Sequence, residues 1–420
     1  MQLEKPRLFP EIKSFLAVSG LLISLMLMHL FIEYRSYQDF ISKPFYYTNA
    51  SVLTSYEKSK EGRHYNVLKL RSDDGSTFYT TSYKKDDLDH KRIRIQIFPN
   101  ETISFFDYLG TFYVKSRIKK IMPLPGTFKD MLLEKVALQH QNSALQSFYN
   151  AIFFASPIEK DLRQKISMLG VSHLVALSGF HLGILWGLVY GLLLLVYRPL
   201  QQKYFPYRHA LFDVGMIAML FLGLYLWFVD FPPSLLRSYA MVFAGWAVLL
   251  LGIELLSFTF LTTIVLILTA LFPSLLVSLG FWLSVTGVFY IFLLLQYTKV
   301  FNKWLITLVF IPFGIFILML PIIHTVFGTT SISQLLSPLL SLLFIPFYPL
   351  VMLLHLVGSG DVFDTGLQWL FALAQGNEDK FLPLWAMSGY IVLSIGAIWQ
   401  RKLFYVVVGL AFGYAGYLFL

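Results

Sequence analysis

Residues 169–191 read LGVSHLVALSGFHLGILWGLVYG, and this stretch decides the fold class. It is apolar enough to sit in a bilayer, yet it carries His173, Ser178 and His181. Gly179, Gly183, Gly187 and Gly191 recur every fourth residue. On a helix that spacing makes a ridge without side chains, where another backbone approaches closely. Ionisable groups at membrane depth are costly and face a cavity or a partner. The expectation is a helix packed tightly inside a bundle and lining something wet.

The rest of the chain agrees with that setting. It is 56% hydrophobic and only 14% charged, with a mean hydropathy of +0.64. No soluble domain of 420 residues has that composition, so the fold class is a polytopic α-helical membrane protein. The absence of cysteine excludes a disulfide framework and any thiolate metal site.

The first apolar run, Phe15 to Ile32, follows Lys5, Arg7 and Lys13 and has no small-x-small cleavage site before Glu33. It reads as a retained anchor over residues 1–34 with its basic flank in the cytoplasm. Composition then changes abruptly. Residues 35–120 hold 16 Lys/Arg against 10 Asp/Glu and no run of span length. Residues 67–71 and 92–97 show the alternation of half-buried strands, and Asp73-Asp74-Gly75-Ser76 reads as a hairpin turn before 77–81. The pattern predicts a small all-β barrel, with an OB-like barrel as one candidate. An inside N-terminus makes this domain extracytoplasmic.

Residues 121–168 are broken by Pro123 and Pro125-Gly126 and then carry a polar face, which predicts amphipathic helices at the interface. Residues 169–420 are expected to form a multi-span domain. Its candidate spans lie near 171–197, 210–229, 234–253, 257–277, 280–297, 304–323, 335–356, 383–399 and 403–420. The basic loops at Arg198, Lys203, Arg208 and at Lys299, Lys303 both fall on the cytoplasmic side.

Three constellations carry chemistry. Ser178 lies between His173 and His181, and on a continuous helix Ser178 and His181 stand about 60° apart, so all three residues share one wide face. That arrangement fits a polar translocation path, a mutually satisfied packing cluster, or an intramembrane serine hydrolase with Ser178 as nucleophile and His173 or His181 as base. Second, Asp230-Phe231-Pro232-Pro233 starts a helix, which places Arg237 one turn inside it, either snorkelling or as a fixed cation for phosphate. Third, Lys84, Lys85, Lys91, Arg92 and Arg94 cluster, with Phe78, Tyr79 and Tyr83 nearby. Basic grooves with stacking aromatics bind single strands, although Asp86, Asp87 and Asp89 make a solvated face the alternative.

Absences decide as well. The nine histidines include no HxH or HExxH, which argues against a zinc hydrolase, and no P-loop is present to power transport. No metal, cofactor or catalytic residue is expected.

Ser172-His173-Leu174-Val175-Ala176-Leu177-Ser178-Gly179-Phe180-His181-Leu182-Gly183 resembles the signature of the ComEC family, approximately SHLLAISGLHVG. Pro233-Ser234-Leu235-Leu236-Arg237 resembles that family's proline-to-arginine segment. Gly280-Phe281-Trp282-Leu283-Ser284 resembles its GFQLS segment, and Ser341-Leu342-Leu343-Phe344-Ile345-Pro346 its NLLAIP segment. Trp282 stands in place of the family's glutamine and Ser341 in place of its asparagine.

The resemblance implies an inner-membrane channel of bacterial natural competence that passes single-stranded DNA into the cytoplasm. His173, Ser178, Gly179, His181, Gly183, Arg237, Phe281 and Ser284 would lie on its path. It also implies a periplasmic DNA receptor and a cytoplasmic helicase-like ATPase as partners, with a homo-oligomer left open. Many members carry a C-terminal metallo-β-lactamase-like domain with an HxHxDH motif. None is written before Leu420, so strand degradation would fall to another protein. A small-solute transporter is the third class of reading, favoured only if the basic barrel has no business with DNA.

Overall fold

The computed structural model describes residues 8, 9, 11–60, 63–83, 88, 91–122, 127–252, 257–376 and 378–420. They form two compact units: Glu11–Asp130 with Thr262–Phe281, and chiefly Met131–Leu261 with Trp282–Leu420.

The first unit begins with α1 (Ile12–Ser42), a 31-residue apolar helix whose sides are almost wholly unburied until Phe40. Six strands follow: β1 (Tyr46–Lys60), β2 (Arg63–Ser72), β3 (Thr77–Ser82), β4 (Arg92–Phe98), β5 (Phe112–Tyr113) and β6 (Lys115–Met122). α2 (Phe105–Leu109) precedes β5 and is closed by a Ser104–Asp107 capping box. β1, β2 and β3 form an antiparallel meander, and β1 also pairs with β4, which pairs with β6. β5 runs parallel to β3 and is separated from β6 by Val114 alone. A Thr80–Ser116 hydroxyl bond of 2.6 Å ties β3 to β6, so the sheet curls back on itself.

Alternation explains the core. Leu68 and Leu70 of β2, Phe78 of β3, and Ile93, Ile95 and Ile97 of β4 are fully buried; between them Arg94 is exposed and Lys69 half-buried, while Gln96 is buried as well. Each of these apolar side chains contributes about 1.5–3 kcal/mol. The Phe40 ring lies edge-on or tilted, 5.3–5.6 Å from those of Tyr46, Tyr108 and Phe112, so the end of α1 joins the core of the sheet. The hairpin expected at 73–76 is present. Gly75 adopts φ +91°, a left-handed conformation that a side chain would strain, and its N–H donates to the Ser72 carbonyl.

The second unit is helical: α3 (Phe128–Ala137, which begins in the first unit), α4 (Ser143–Phe154), α5 (Lys160–Met168), α6 (Ser172–Val175), α7 (Gly179–Tyr204), α8 (Ala210–Phe228) and α9 (Pro233–Leu250), followed by the start of α10 (Phe258–Leu271), most of which belongs to the first unit. After them come α11 (Leu279–Thr298), α12 (Lys303–Leu305), α13 (Ile311–Val326), α14 (Ser337–Leu356), α15 (Asp364–Ala372), α16 (Leu384–Gly396) and α17 (Arg401–Phe419). One core gathers Leu145, Tyr149, Ile152, Leu182, Leu222, Leu235, Tyr348 and Val351. Another gathers Tyr290, Leu318, Tyr390, Phe404 and Val407.

Among the described residues, seven helical stretches are long and apolar enough to cross a membrane: 12–42, 179–204, 210–228, 279–298, 303–326, 332–356 and 401–419. The chain is thus a multi-pass membrane protein. The sequence expectation named more spans, and three of them are shorter apolar helices. The run 257–277 stops at Leu271, where Pro273 starts a 3-10 turn, and 383–399 holds a 13-residue helix. Thirteen residues rise only about 20 Å, less than a hydrocarbon core of about 30 Å. α4 contributes to the first helical core. It buries Leu145, Phe148, Tyr149, Ile152, Phe153 and Phe154. The polar residues before it are consumed locally, Asn142 capping α4 and Gln146 donating to the His140 carbonyl.

Candidate functional site

The stretch 171–197 is not one helix. α5 ends at Met168, Gly170 turns the chain at φ +67°, and α6 makes a single turn. Ala176 is extended and Ser178 sits at φ −140°, ψ 179° as the N-cap of α7. His173, Ser178 and His181 therefore do not share a helical face, which corrects the wide-face expectation. They meet through an elbow instead.

The elbow is held by capping bonds. Ser178 Oγ accepts from the Phe180 N–H at 3.3 Å and donates to the His173 carbonyl at 3.3 Å. His181 Nδ1 accepts from the Ser178 backbone N–H at 3.3 Å, the role a Glu or Gln fills in an ordinary capping box. The imidazole proton of His181 is thereby placed on Nε2, which is buried without a hydrogen-bond partner among the described residues. The ring meets Tyr348 and Phe344 edge-to-face, at 4.9 and 5.1 Å.

Two other segments converge on the elbow. Ser234 Oγ of α9 donates to the Leu177 carbonyl at 2.8 Å, and Ser238 Oγ to the Ser234 carbonyl at 2.8 Å. From α14, Ser337 Oγ donates to the Gly170 carbonyl at 2.9 Å. Ser341 Oγ donates to the Ser337 carbonyl at 2.8 Å, so it accepts from His173 Nε2 at 3.2 Å. The signature, the proline-to-arginine segment and the 341–346 segment are thus one assembly. Phe281 is grouped with the first unit, and Ser284 lies on α11. Arg237 is half-buried, one turn into α9.

The glycine ridge is corrected too. Only Gly179 is crowded: a Cβ there would lie 3.0 Å from Ser238 Oγ. A Cβ at Gly183, Gly187 or Gly191 would meet no atom within 4 Å. The four-residue period is real, but only its first member lies in a close contact.

On the β domain, Lys84 and Lys85 lie outside the described residues. The rest of the basic cluster divides. Arg92 pairs with Asp73 at 2.6 Å, Arg94 stands 5.9 Å over the Tyr47 ring, Lys91 is half-buried, and exposed Tyr83 rests 6.2 Å from Tyr65. Two outward faces add residues that the sequence did not single out, Lys69 beside Tyr79 and the bases of β6. On β2–β3, Lys69 stands 5.8 Å over Tyr79 and Thr81 bonds the Tyr113 hydroxyl, while burial holds the Lys69 amine below the ordinary lysine value. On β4–β6, exposed Arg94 pairs in register with exposed Lys120, beside exposed Lys115, Arg117 and Lys119, Arg117 lying opposite buried Gln96. The signal for this second face was present as a run of four bases at 115–120 without an acid.

A family model described as Competence protein matches residues 154–416. No curated protein matches the chain, and no solved structure does.

Proposed function

The chain belongs to the Competence protein family, of the ComEC type, and on that premise we propose that it is the inner-membrane channel that passes single-stranded DNA into the cytoplasm during transformation. The observation that carries the reading is the convergence at the elbow: Ser234 and Ser341, from two distant segments, both bond the stretch 172–183. A polyanion crossing about 30 Å of hydrocarbon needs a polar path built from several helices. His173, Ser178, Gly179 and His181 form the elbow of that path, and half-buried Arg237 supplies a sparse cation. A dense basic lining would hold the strand too tightly for it to move on.

The β domain is read as an OB-like barrel outside the membrane. In support, β1 pairs with β2 and β4, β2 with β3, and the interrupted strand β5–β6 with both β3 and β4, closing a five-member ring. Its basic and aromatic outer faces suit stacked single-stranded bases and their phosphates. A periplasmic receptor would deliver the strand and a cytoplasmic helicase-like ATPase would draw it in.

The hydrolase reading rests on the 3.4 Å between Ser178 Oγ and His181 Nδ1. That nitrogen already accepts from the Ser178 backbone N–H, and the hydroxyl is engaged as a cap. Among the described residues no carboxylate bonds either histidine of the elbow, so nothing orients a base as a triad requires.

The test is uptake of labelled DNA in a strain lacking the chain. DNA retained outside the inner membrane and absent from the cytoplasm is expected. Cytoplasmic entry at the parental rate would overturn the proposal.

A further inference from the structure

Away from the elbow, in the same helical unit, the end of α14 carries a second polar cluster. Ser341, Tyr348 and His355 follow one another at seven-residue spacing on α14, so they share a face over a rise of about 21 Å. Ser341 faces His173 and Tyr348 faces His181. His355 faces His140, which lies in the connection between α3 and α4. The His140 and His355 Nε2 atoms are 2.9 Å apart.

Hydrogen-bond bookkeeping fixes the protons. His355 Nδ1 lies 2.6 Å from the Val351 carbonyl, which only accepts, so Nδ1 carries a proton. His140 Nδ1 lies 2.9 and 3.0 Å from the two carboxylate oxygens of Asp364 and likewise carries one. If both rings were neutral, each Nε2 would present a lone pair to the other at hydrogen-bond distance. The observed separation requires a third proton between them. One imidazolium and one imidazole then face each other, and the Asp364 carboxylate balances the charge.

We infer that His140, His355 and Asp364 form a binding site for a single proton, which locks the α3–α4 connection to the end of α14 and the start of α15.

The surroundings seal this bond from water. The His140 side chain has no exposure, and Asp364 is 16% exposed. The Tyr149 ring stacks on His140 at 4.3 Å, and burial together with Asp364 and Asp361 keeps its phenol well above the ordinary tyrosine value and hence neutral. On the other side, a Cβ on Gly360 would lie 2.6 Å from His355 Nε2, so the backbone itself covers the pair. Gln139 completes the clasp, accepting from the Gly360 N–H at 2.9 Å and donating to the His355 carbonyl at 3.2 Å. The titratable groups facing the pair are Asp364 and Tyr149; the phenol is neutral, and the Asp364 carboxylate favours the proton.

The sign follows. Separated histidines bind two protons below their ordinary value and none well above it, whereas the folded pair holds one, so the site stabilises the fold most near that value. That stability is lost as pH rises through the pair's own value. Losing the proton places two lone pairs face to face and opens the clasp.

Thermal unfolding of the purified full chain in nanodiscs, recorded across pH, tests the assignment. The wild type should show a fall in Tm as pH rises above the ordinary histidine value. His355→Gln supplies an amide N–H that donates to His140 without an extra proton, and should lose that fall. Asp364→Asn removes the balancing charge and should move the fall to lower pH by about one unit or more. Superimposable pH profiles for wild type and His355→Gln would overturn the site. Since either variant can misfold, histidine-selective nitrogen-15 spectra of the wild type give an independent reading. At about pH 7.5, roughly one unit above the ordinary histidine value, one imidazolium sharing a proton with a neutral ring is expected. Only neutral histidines would overturn it.

Discussion

Gly179 faces Ser238 so closely that a Cβ on the glycine would lie 3.0 Å from the serine Oγ and 3.2 Å from its Cβ. This contact joins the start of α7 to α9, and it is tighter than side chains normally tolerate. Gly179→Ala must push Ser238 aside, and Ser238 is anchored to the Ser234 carbonyl. Uptake of labelled DNA in Gly179→Ala is expected to fall at least tenfold, equivalent to about 1.4 kcal/mol in a governing equilibrium. Gly183→Ala and Gly187→Ala place their methyl groups in open space, and at equal expression they should transform like the wild type. Equal loss in all three would restore the whole ridge as a packing surface.

The β domain predicts a graded salt response. Replacing Lys115, Arg117, Lys119 and Lys120 by Gln in the full chain should weaken single-stranded DNA binding and flatten its salt dependence. Each lost phosphate contact lowers the log–log slope by about 0.7. Arg92→Gln should do much less, because Arg92 is already paired with Asp73. Tyr79→Ala should cost about 1–3 kcal/mol if a base stacks there, with little change in slope. Titration at several salt concentrations separates the two effects, and an unchanged slope in the four-site variant would reduce β6 to a solvated edge.

Much of the molecule was legible because its patterns are strong. The alternation at 92–97 gives β4, and the uninterrupted apolar runs give seven stretches of span length. The elbow was hidden for a physical reason. Ala176 and Leu177 are as apolar as the helices around them, so hydropathy runs straight across the break. The one local signal was a capping box with His181 standing where Glu or Gln is usual. The glycine period misled in the opposite way. Period alone gives the face that small residues share, and only the neighbouring backbone decides whether that face is occupied. On β4, adjacency in sequence grouped Arg92 with Arg94, whereas pairing with Asp73 and Tyr47 separates their partners. The His140–His355 contact joins residues 215 apart in the chain, and no local pattern announces it.

Ser234 hooks α9 onto the elbow through the Leu177 carbonyl at 2.8 Å. Ser234→Ala leaves that half-buried acceptor unpaired, at a cost of about 1–3 kcal/mol. A lower Tm and reduced uptake are expected together, and Ser234→Thr, which keeps the hydroxyl, should restore both. If uptake falls while Tm is unchanged and threonine fails to rescue, the hydroxyl acts on the translocated strand and not on the elbow.

Ser178 separates a channel from a hydrolase. As an N-cap it accepts from the Phe180 N–H and donates to the His173 carbonyl. Removing a capping hydroxyl costs about 0.5–2 kcal/mol, so Ser178→Ala should lower the Tm by a few degrees and leave partial DNA uptake. Ser178→Thr, which also caps, should lie closer to wild type. Ser178→Leu adds bulk at the junction of α6 and α7 and should abolish uptake. A nucleophile behaves differently: alanine and leucine are then equally dead, because each lacks the attacking oxygen. Transformation frequency at matched expression gives the ranking, and a serine-directed phosphonate gives the chemistry. No labelling of the wild type is expected, since the lone pair of His181 Nδ1 is occupied by the Ser178 N–H and is not free to take a proton from the hydroxyl. Labelling of the wild type that disappears in Ser178→Ala, with uptake lost in the same variant, would replace the cap with a catalytic serine.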